Sequence, residues 1–529
     1  MTERATRSAE LPVNTDASEP VPAYSWYVLG ILVLVYILNF VDRQILSILA
    51  NDIKRDLDLT DADLGFLYGT AFAVFYSLFG IPLGRLADNW HRVRLMSLGL
   101  ALWSAMTAIS GFSRSGSELT GARIGVGIGE ATASPAAYSL IADYFPQRLR
   151  ATALAIYSSG LFLGGGLSLL IGGLVVERWN AAYPAGGPLG LVGWQAAFMA
   201  VGLPGLLLAI WVSFIREPVR GAIDGLPSDG SDRPFREFLG ELFNVIPPLT
   251  LLAAMRRGRG ALVANVAAAL MIAAVGFGLV SLLGRPTLQQ WLFVGVGVYA
   301  VYSWASALRA SDAATFEMIW RSPAFICTTL GYGMVAFTAY ASSYWAAPYA
   351  ERAFAVSKGD LGWAIGAPAA VAGFLGVIAG GRIADYLHLR HAAGRVYVTL
   401  FGLIAPVLPL VAAYRTDSFG VFVVSSFFAQ AFSSSALGAA AAASQALVLP
   451  RMRGTATATF FLATTLVGLA LGPFMAGYVS ARNDSDLATG VLSTLVAVPI
   501  GIALLVTAIR CTALAQAKLA KAASASAAL

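Results

Sequence analysis

The sequence predicts an all-α integral membrane protein of two six-helix bundles related by pseudo-twofold symmetry, with an inserted helix pair and about 14 transmembrane helices in total. Three observations lead to this fold class: an apolar composition, a long series of membrane-length apolar segments, and an internal repeat. Of the 529 residues, 57% are hydrophobic and 12% are charged, and the mean hydropathy is +0.71. Soluble domains typically have about 25% charged residues, so a surface of this composition is unsuited to water.

Apolar runs of about 20 residues, the length at which a helix crosses the hydrocarbon core, recur along the whole chain. Six of them lie in region 26–215, which we predict to be a first six-helix bundle, and six lie in region 324–510, the predicted second bundle. The intervening region 216–323 is predicted to be a cytoplasmic linker that carries an inserted helix pair, 261–284 and 291–308.

The distribution of the 35 lysines and arginines predicts the orientation, because translocation disfavours positive loops outside. With the amino terminus inside, 24 of them fall in inner segments and nine in outer segments, while Arg43 and Arg123 remain within the membrane. We therefore expect a multi-pass protein of the cell (inner) membrane with both termini cytoplasmic. Residues 1–25, where charges are mixed with prolines, are predicted to be a disordered tail, and residues 511–529 a second cytoplasmic tail.

An internal repeat divides the chain into two related halves. The segment Gly84-Arg85-Leu86-Ala87-Asp88 with His91 recurs as Gly381-Arg382-Ile383-Ala384-Asp385 with His388. A second set agrees in order, with Pro146, Arg150, Thr152 and Ala153 matched by Pro450, Arg453, Thr455 and Ala456. Two matches in register indicate a duplication. Parallel repeats about an axis along the membrane normal, with a substrate site at their interface, are typical of transporters.

Four ionisable residues lie within predicted spans: Asp42 and Arg43 in the first, Arg123 and Glu130 in the fourth. A charge at the bilayer centre costs at least about 2.5 kcal/mol, so such residues usually mark a transport pathway. We predict that Arg43 binds an anionic group while Asp42 and Glu130 exchange protons, with Arg123 in the same coupling site. The alternative is structural: a neutral pair, Asp42 with Arg123 or Glu130 with Arg43, joins two helices, or Arg123 extends outward to the membrane surface.

The corresponding spans of the second half carry polar aromatic and hydroxyl side chains instead of charges. Tyr340, Tyr344, Trp345, Gln430 and Ser434 are therefore predicted to line a cavity. A charged half that faces an aromatic, weakly polar half suits an amphiphile, with its headgroup on one side and its tail on the other. The alternative for each aromatic residue is ordinary packing or a place at the membrane interface.

The repeated loop resembles the motif of the major facilitator superfamily, which has a glycine, an aspartate four residues later and then basic residues between its second and third helices. Four residues fit this pattern (Gly84, Asp88, Arg92 and Arg94). Two positions depart from it, since Asn89 replaces a basic residue and His91 replaces a glycine. The resemblance implies that the four residues form a conformational latch, with Asp385 in its second copy. The alternative is a positive inner loop with a single ion pair.

Within that superfamily the chain is most similar to the Spinster-like transporters of sphingosine 1-phosphate and lysophospholipids. The similarity rests on Asn39, Asp42, Arg43, Leu46 and Ser47 in the first span and on Gly129, Glu130, Ala131, Pro135, Asp143, Tyr144, Phe145 and Pro146 around the fourth. It implies that Asp42, Arg43 and Glu130 line the cavity and that Ser134, one turn below Glu130, contacts a headgroup. The long insertion departs from the family pattern.

These inferences predict a secondary active transporter of an anionic amphiphile, of the lysophospholipid or sphingosine 1-phosphate type, that is proton-coupled and works by rocker-switch alternating access. The alternative is a small organic anion symporter or a drug exporter of the same superfamily, because organic-anion symporters share the aspartate–arginine pair and the glycine–glutamate–alanine step. The expected partners are the substrate, protons and the bilayer. We expect a monomer that binds no nucleic acid.

No pattern in the sequence points to an enzyme, a cofactor or a metal site. Gly125, Gly127 and Gly129 look like a dinucleotide-binding fingerprint, but no strand precedes them and they lie within a span, so helix packing explains them better. Cys327 and Cys511 lie far apart in apolar stretches, which argues against a disulfide framework. We therefore predict that the protein is not an enzyme.

Overall fold

The computed structural model describes residues 21–225 and 231–527, and within these ranges the chain forms helices joined by turns and loops, with no β-strand. Most of the predicted tail 1–25 and the end of the predicted tail 511–529 lie outside the described residues. The first helix begins at Ala23. The last helix continues to Ala527, because the alanine-rich sequence after residue 510 favours a helix.

Seven helices build the six spans of the first bundle. They are α1 Ala23–Asp56, α2 Asp61–Asn89, α3 Arg92–Ser110, α4 Gly116–Glu130, α5 Ala133–Tyr144, α6 Gln147–Ala182 and α7 Gly193–Ser213. The fourth span consists of α4 followed by α5. The backbone stays in the right-handed helical region at the two linking residues, Ala131 (φ −61°, ψ −16°) and Thr132 (φ −79°, ψ −28°), so the two helices form one continuous span.

In the described residues of the linker between the bundles there are five α-helices. The first two are α8 Pro234–Val245 and α9 Leu249–Arg257, which meet at an angle of 95°. The inserted pair consists of α10 Arg259–Leu283 and α11 Leu288–Ser311, and α12 Ala313–Trp320 leads into the second bundle.

The second bundle has six spans. They are α13 Pro323–Phe354, α14 Lys358–His388, α15 Gly394–Arg415, α16 Phe419–Gln445, α17 Pro450–Arg482 and α18, whose spanning part is Leu487–Ala520. Among the described residues, 13 helices are long and apolar enough to cross a membrane, and α4 with α5 adds another span. This total confirms the predicted fold class of about 14 membrane helices. Because the number of spans is even, both described chain ends lie at the same end of the helical body. We call this end the terminal end and the opposite one the far end.

Polar residues before two apolar runs act as helix caps. Thr60 Oγ1 accepts a hydrogen bond from the Asp63 N–H at 3.2 Å, and the Asp63 carboxylate accepts one from the Thr60 N–H at 2.9 Å, which makes a capping box. Ser115 Oγ accepts a hydrogen bond from the Glu118 N–H at 3.3 Å. These caps define where α2 and α4 begin. Both helices carry charged residues that belong to the sites described below.

Glycines let the two bundles approach closely where α6 meets α14. A Cβ atom added at Gly166 would lie 2.5 Å from the backbone oxygen of Gly366, and one added at Gly173 would lie 2.2 Å from that of Lys358. A side chain at either position would push the helices apart, so these glycines of the fifth span are needed for contact between the bundles.

The inserted pair packs along the opposite seam between the bundles, where α2 faces α17. The buried Gln290 of α11 donates from Nε2 to the Ala470 backbone oxygen at 3.3 Å and accepts from Thr70 Oγ1 at 2.7 Å. Gly297 of the same helix lies against Leu466 of α17. The outer helix α10 is apolar and almost entirely exposed, with only 6% of its most apolar stretch buried, so it faces lipid. The insertion therefore contacts both bundles through α11.

Replacing Gln290 with leucine should lower the thermal stability of the protein. Leucine fills the space but forms no hydrogen bond, so the Thr70 hydroxyl and the Ala470 carbonyl keep only the bond between them, at 2.7 Å. A typical intramolecular hydrogen bond contributes about 0.5–1.5 kcal/mol to stability. We expect a lower midpoint of thermal unfolding in detergent micelles. Gln289→Leu changes the exposed neighbour and is the matched control, which should unfold like the wild type. Equal midpoints for the two variants would contradict the bridging role of Gln290.

Candidate functional site

Four ionisable side chains meet inside the first bundle. Asp42 and Arg43 lie on α1, and Arg123 and Glu130 lie on α4; their exposed fractions are 0%, 6%, 0% and 1%. We call these four residues the charged cluster. Two carboxyl groups and two guanidinium groups balance in formal charge, and mutual attraction offsets part of the cost of burying them. The structure thus brings together all four residues that the sequence analysis selected within the spans.

Arg43 and Glu130 form a direct ion pair, with 2.7 Å between Arg43 Nη2 and Glu130 Oε2. The Arg43 guanidinium also lies over the rings of Phe72, Phe40 and Tyr76, at 4.5, 4.8 and 5.2 Å from the ring centroids. Cation–π contacts of this kind stabilise a desolvated cation. Arg43 is therefore held by one carboxylate and three aromatic rings, while its Nε donates no hydrogen bond to any described residue.

Asp42 and Arg123 lie close together without forming a hydrogen-bonded side-chain pair. Arg123 Nη1 donates a long hydrogen bond, 3.4 Å, to the backbone oxygen of Asp42. The carboxylate oxygens of Asp42 accept no hydrogen bond from the described residues, although the Trp103 indole and the Thr107 hydroxyl lie beside them. An ionised carboxylate without hydrogen bonds is costly to bury. This carboxyl group is therefore suited to carrying a proton.

Two further predicted residues lie near the charged cluster. Tyr340 of α13 is half-buried and within electrostatic range of Arg43, so it brings the second bundle to the cluster. Ser134 of α5 lies beside the Tyr157 hydroxyl, one helical turn beyond Glu130. Polar groups thus continue from the cluster in two directions.

Tyr344 and Trp345 occupy a different place from the predicted one. Both are completely buried. The Tyr344 ring stacks on Tyr68 of α2 with 4.1 Å between centroids, and Trp345 Nε1 donates a hydrogen bond to the Pro473 backbone oxygen at 3.0 Å. In this conformation the two rings fill the contact between the bundles toward the far end, because both have close partners there, and they do not line an open cavity.

Gln430 and Ser434 lie one turn apart on α16 of the second bundle. The Gln430 amide donates a hydrogen bond to Ser434 Oγ at 3.0 Å. Gln430 is half-buried and Ser434 is 8% exposed. These two polar groups are paired with each other, and no described hydrogen bond joins them to the charged cluster.

A group of charges that the sequence analysis missed closes the far end. The buried Asp61 carboxylate, at the start of α2, accepts hydrogen bonds from Arg352 Nη2 and Lys54 Nζ, both at 2.8 Å, and from Ser480 Oγ at 2.7 Å. Arg352 also donates to the Asn51 side chain at 2.8 Å. Asp61 belongs to the first bundle, whereas Arg352 and Ser480 belong to the second. This carboxylate therefore joins the two bundles.

Lys358 extends these far-end contacts. Its Nζ lies 2.8 Å from Glu351 Oε2, 3.4 Å from Asp52 Oδ2 and 2.9 Å from the Ile48 backbone oxygen. The Gly359 N–H donates to Glu177 Oε2 at 3.1 Å. We call the whole set the far-end network (Asn51, Asp52, Lys54, Asp61, Glu177, Glu351, Arg352, Lys358 and Ser480). Its members are polar and charged residues near the ends of helices scattered over most of the chain, so no local pattern identifies it.

Arg92, one of the predicted latch residues, ties together the terminal end of the first bundle. Its buried guanidinium donates hydrogen bonds to Glu217 Oε1 at 2.7 Å and to the Asp143 carboxylate. It also donates to Ser139 Oγ at 2.9 Å and to the Pro218 backbone oxygen at 2.8 Å. Arg92 therefore connects α3, α5 and the segment after α7. The sequence analysis missed Glu217, whose only signal is an acid beside a proline after the sixth span.

The other predicted latch residues of the first half surround Arg92 at lower burial. Gly84 is half-buried, whereas Asp88 and Arg94 are exposed at the surface. Arg220, from the segment after α7, lies within electrostatic range of Asp88, and burial together with the charge of Arg92 lowers the pKa of Arg220. These contacts connect elements of the first bundle to one another and do not reach the second.

The second copy of the repeated loop is built differently. The Asp385 side chain is 73% exposed and pairs with Arg395 of α15, with 3.2 Å between Asp385 Oδ1 and Arg395 Nη2. This is a surface ion pair, and such pairs contribute little to stability. The two halves thus share the loop motif but not the buried contacts around it.

Two six-helix bundles around buried intramembrane charges are the architecture of a membrane transporter. The sequence profile of the Major Facilitator Superfamily matches residues 32–347. The chain belongs to this superfamily and is a transporter, not an enzyme, as the repeated loop and the span pattern predict.

Two relatives and one solved structure narrow the resemblance. The chain is 26% identical over 476 residues to an MFS-type efflux pump of Mycolicibacterium smegmatis, an alignment that covers 90% of this chain and 89% of the relative. It is 22% identical over 478 residues to Protein spinster of Drosophila melanogaster, covering 87% of this chain and 64% of that longer protein.

The solved structure is a crystal structure of a bacterial homolog to the human lysosomal transporter Spinster, in an inward-facing and unoccupied conformation. It matches with a TM-score of 0.67 at 26% identity, and the match covers 95% of this chain and 99% of that chain. Together with the Drosophila relative, it confirms the predicted resemblance to Spinster-like transporters.

Neutralising Asp61 should loosen the far end. In Asp61→Asn the side chain keeps its size but loses the negative charge that Arg352 and Lys54 share, so the contact between the bundles weakens. We expect spin labels at the exposed positions Arg114 and Asp417, on far-end loops of different bundles, to move apart in double electron–electron resonance measurements.

The matched control for this measurement is Asp58→Asn. Asp58 is exposed just before α2, and asparagine tolerates its left-handed backbone conformation (φ 51°). This variant should keep the wild-type distance distribution. A folded Asp61→Asn protein with the same distribution would show that the far-end network does not hold the bundles together.

Proposed function

We propose that the chain is a secondary active transporter of an anionic amphiphile of the lysophospholipid or sphingosine 1-phosphate type, coupled to protons. The observation that carries the proposal is the Asp42 carboxyl group, which is buried beside the Arg43–Glu130 ion pair and accepts no hydrogen bond. The Asp42 carboxyl group, which is free of hydrogen bonds, lies next to the Glu130 carboxylate, which is bound to Arg43. In such an arrangement, protonation and anion binding affect each other.

Arg43 is the cation that receives the headgroup. An incoming phosphate competes with Glu130 for the guanidinium, because both are oxyanions that accept charge-assisted hydrogen bonds from arginine. When Glu130 takes up a proton, its hold on Arg43 weakens and the guanidinium becomes available to the substrate. The rings of Phe40, Phe72 and Tyr76 keep Arg43 in position during this exchange.

Asp42 supplies a second position for a proton. Protonation of its carboxyl group breaks no hydrogen bond in the described structure. When the proton leaves, the new negative charge lies within electrostatic range of Arg123, whose Nε and Nη2 have no hydrogen-bond partner among the described residues. The two acids therefore respond differently: a proton on Glu130 releases Arg43, and loss of a proton from Asp42 engages Arg123.

The contrast between the bundles supports an amphiphilic substrate. The charged cluster lies wholly in the first bundle, and the second bundle presents Tyr340 to it. Ser134 continues the polar surface on the side of the first bundle, where a headgroup has hydrogen-bonding partners. An acyl or sphingoid tail then lies toward the second bundle, whose matching spans carry aromatic and hydroxyl side chains instead of charges.

Alternating access is supported by where the bundles are joined. The ion pairs between bundles in the described residues, Arg352–Asp61 and Lys358–Asp52, both belong to the far-end network. We place both termini in the cytoplasm, so that the far end is the outer one, and the bundles are joined there in this conformation. A rocker-switch movement then has to break the far-end network before the cluster opens outward. We assign this cycle to a monomer.

Drug export or symport of a small organic anion by the same machinery is the second candidate. The Mycolicibacterium smegmatis relative, an MFS-type efflux pump, aligns over 90% of this chain. Proton coupling at Asp42 and Glu130 would be shared by both candidates. They differ in the molecule that reaches Arg43, so the substrate has to be identified directly.

Neutralising the acids of the cluster should abolish coupling. In proteoliposomes with an imposed proton gradient, Glu130→Gln and Asp42→Asn should each lose the gradient-dependent part of substrate flux, because neither amide binds and releases a proton at the site. The matched control is Glu118→Gln, which removes an exposed carboxylate from the first turn of the same helix and should couple like the wild type. Normal coupling in both cluster variants would reject the proposed mechanism.

Native mass spectrometry should identify the substrate class. We expect the purified wild type to carry a single-chain phospholipid, and Arg43→Gln to retain it about tenfold less well, because a hydrogen bond to a charged group is worth about 1.5–3 kcal/mol. Arg114→Gln, at an exposed far-end position, removes the same charge and should retain the lipid. Binding of only water-soluble anions or drugs would favour the second candidate and contradict the lipid substrate.

A further inference from the structure

Two buried hydrogen-bond donors beside Asp42 have no partner. Trp103 and Thr107 of α3 are both 0% exposed, and neither the indole Nε1 nor the hydroxyl Oγ1 forms a hydrogen bond to a described residue. Both groups lie beside the Asp42 carboxyl group, whose two oxygens have no partner among these residues either. Most buried polar groups in proteins are paired, so donors and acceptors left unpaired at one place need a physical reason.

Close packing against α4 and α7 determines where these donors lie. A Cβ atom added at Gly129 of α4 would lie 2.8 Å from the backbone nitrogen of Trp103, and one added at Gly205 of α7 would lie 2.1 Å from Ser104 Oγ. Trp103 and Thr107 are four residues apart and therefore share one face of α3. This face is the one that meets Asp42, whereas Ser104 faces α7.

Thr107 differs from other buried threonines of the spans. Thr120, Thr459 and Thr464 each donate to the backbone oxygen four residues earlier in their own helix, at 2.7–2.9 Å. The hydroxyl of Thr107 forms no such bond in the described structure. It is therefore available to the carboxyl group of Asp42.

The two donors interact differently with the two forms of this carboxyl group. The indole N–H of Trp103 can only donate, and it donates more strongly to a carboxylate than to a neutral acid because the carboxylate carries a charge. The hydroxyl of Thr107 donates to the carboxylate and accepts from the neutral acid. Hydrogen bonds to a carboxylate favour its charged form. Both residues thus influence how readily Asp42 gives up a proton.

The charged groups nearest to Asp42 are Arg123 and Glu130 of α4. Arg43, the next residue of α1, is paired with Glu130. Helix α7 contains no titratable residue, and α3 contains none after Arg94. Between their ends, the other helices that pack on α1, namely α2, α5, α6 and α13, contribute tyrosines, which are neutral near pH 7 (Tyr68, Tyr76, Tyr138, Tyr157, Tyr332, Tyr340, Tyr344 and Tyr349).

We propose that Trp103 and Thr107 receive the negative charge that appears on Asp42 when its proton leaves, and that they set the pH at which this proton is released. They act through Asp42 and are therefore positioning residues. After proton release, the indole and the hydroxyl bind the carboxylate together with Arg123. This inference rests on the proposed function, in which Asp42 carries a proton.

Infrared titration of the purified full-length protein measures the pH of proton release directly and requires no substrate. A protonated carboxyl group has its own carbonyl stretching band, and the part of this band that is lost on Asp42→Asn belongs to Asp42. We expect the Asp42 band to disappear at higher pH in Trp103→Phe and in Thr107→Val than in the wild type, because each variant lacks one donor to the carboxylate. One hydrogen bond to a charged group corresponds to a shift of about 1–2 pH units.

Two matched controls separate the donors from general packing effects. Thr107→Ser keeps the hydroxyl and should titrate like the wild type. Ser104→Ala removes a buried hydroxyl of the same helix that has no hydrogen-bond partner and faces Gly205, and it should also titrate like the wild type. Each variant is compared with the same variant carrying Asp42→Asn, so that only the Asp42 band is followed.

The possible results distinguish the inference from the proposed function. Unshifted bands in both Trp103→Phe and Thr107→Val would assign the charge to Arg123 alone and overturn the inference, with the proton on Asp42 unaffected. An equal shift in Ser104→Ala would also overturn it, because the effect would then come from packing. Should Trp103→Phe fail to fold, the comparison of Thr107→Val with Thr107→Ser decides. A wild type whose Asp42 band does not titrate would contradict the proposed function, and the inference with it.

Discussion

The ion pair between Arg43 and Glu130 is the constraint on which the interior of the first bundle depends. Arginine does not lose its charge in a protein, and an unpaired charge in a low-dielectric interior costs several kcal/mol. Helix α4 therefore has to present Glu130 to α1, and the rings of Phe40, Phe72 and Tyr76 have to surround the guanidinium. Asp42 precedes Arg43 on the helix and points about 100° away from it, so the two side chains have different neighbours. The Asp42 carboxyl group lies within electrostatic range of Arg123 and accepts no hydrogen bond from the described residues.

The two halves share a backbone plan and divide the chemistry unequally. The first half holds the buried intramembrane charges and the neutralised arginine at its terminal end, Arg92. In the second half, tyrosine and hydroxyl side chains stand in place of the intramembrane charges. Its arginine at the terminal end, Arg395, pairs with the exposed carboxylate of Asp385. Duplication therefore preserved the helices, whose packing depends on small and apolar residues, while the polar groups diverged. The two bundles therefore present unlike surfaces to each other.

Three of the contacts that hold the bundles together in this conformation differ in kind. Glycines bring α6 against α14, α11 of the insertion bridges α2 and α17 through Gln290, and the far-end network joins charges such as Asp61 and Arg352. The glycine contacts depend on shape alone, whereas the ion pairs depend on charge and are sensitive to substitution. A movement that opens the far end has to separate the ion pairs while the seams on either side remain packed.

Composition and periodicity were enough to establish a two-bundle membrane protein with an inserted pair, because span length and hydrophobicity are properties of single segments. They also singled out Asp42, Arg43, Arg123 and Glu130, because any charge within a span is conspicuous. The predicted orientation and substrate remain predictions. Which charges pair could not be read from the chain, since Glu217 reaches Arg92 and Arg352 reaches Asp61 only after distant segments pack together. The buried positions of Tyr344 and Trp345 have the same origin, because they depend on neighbours contributed by helices far away in sequence.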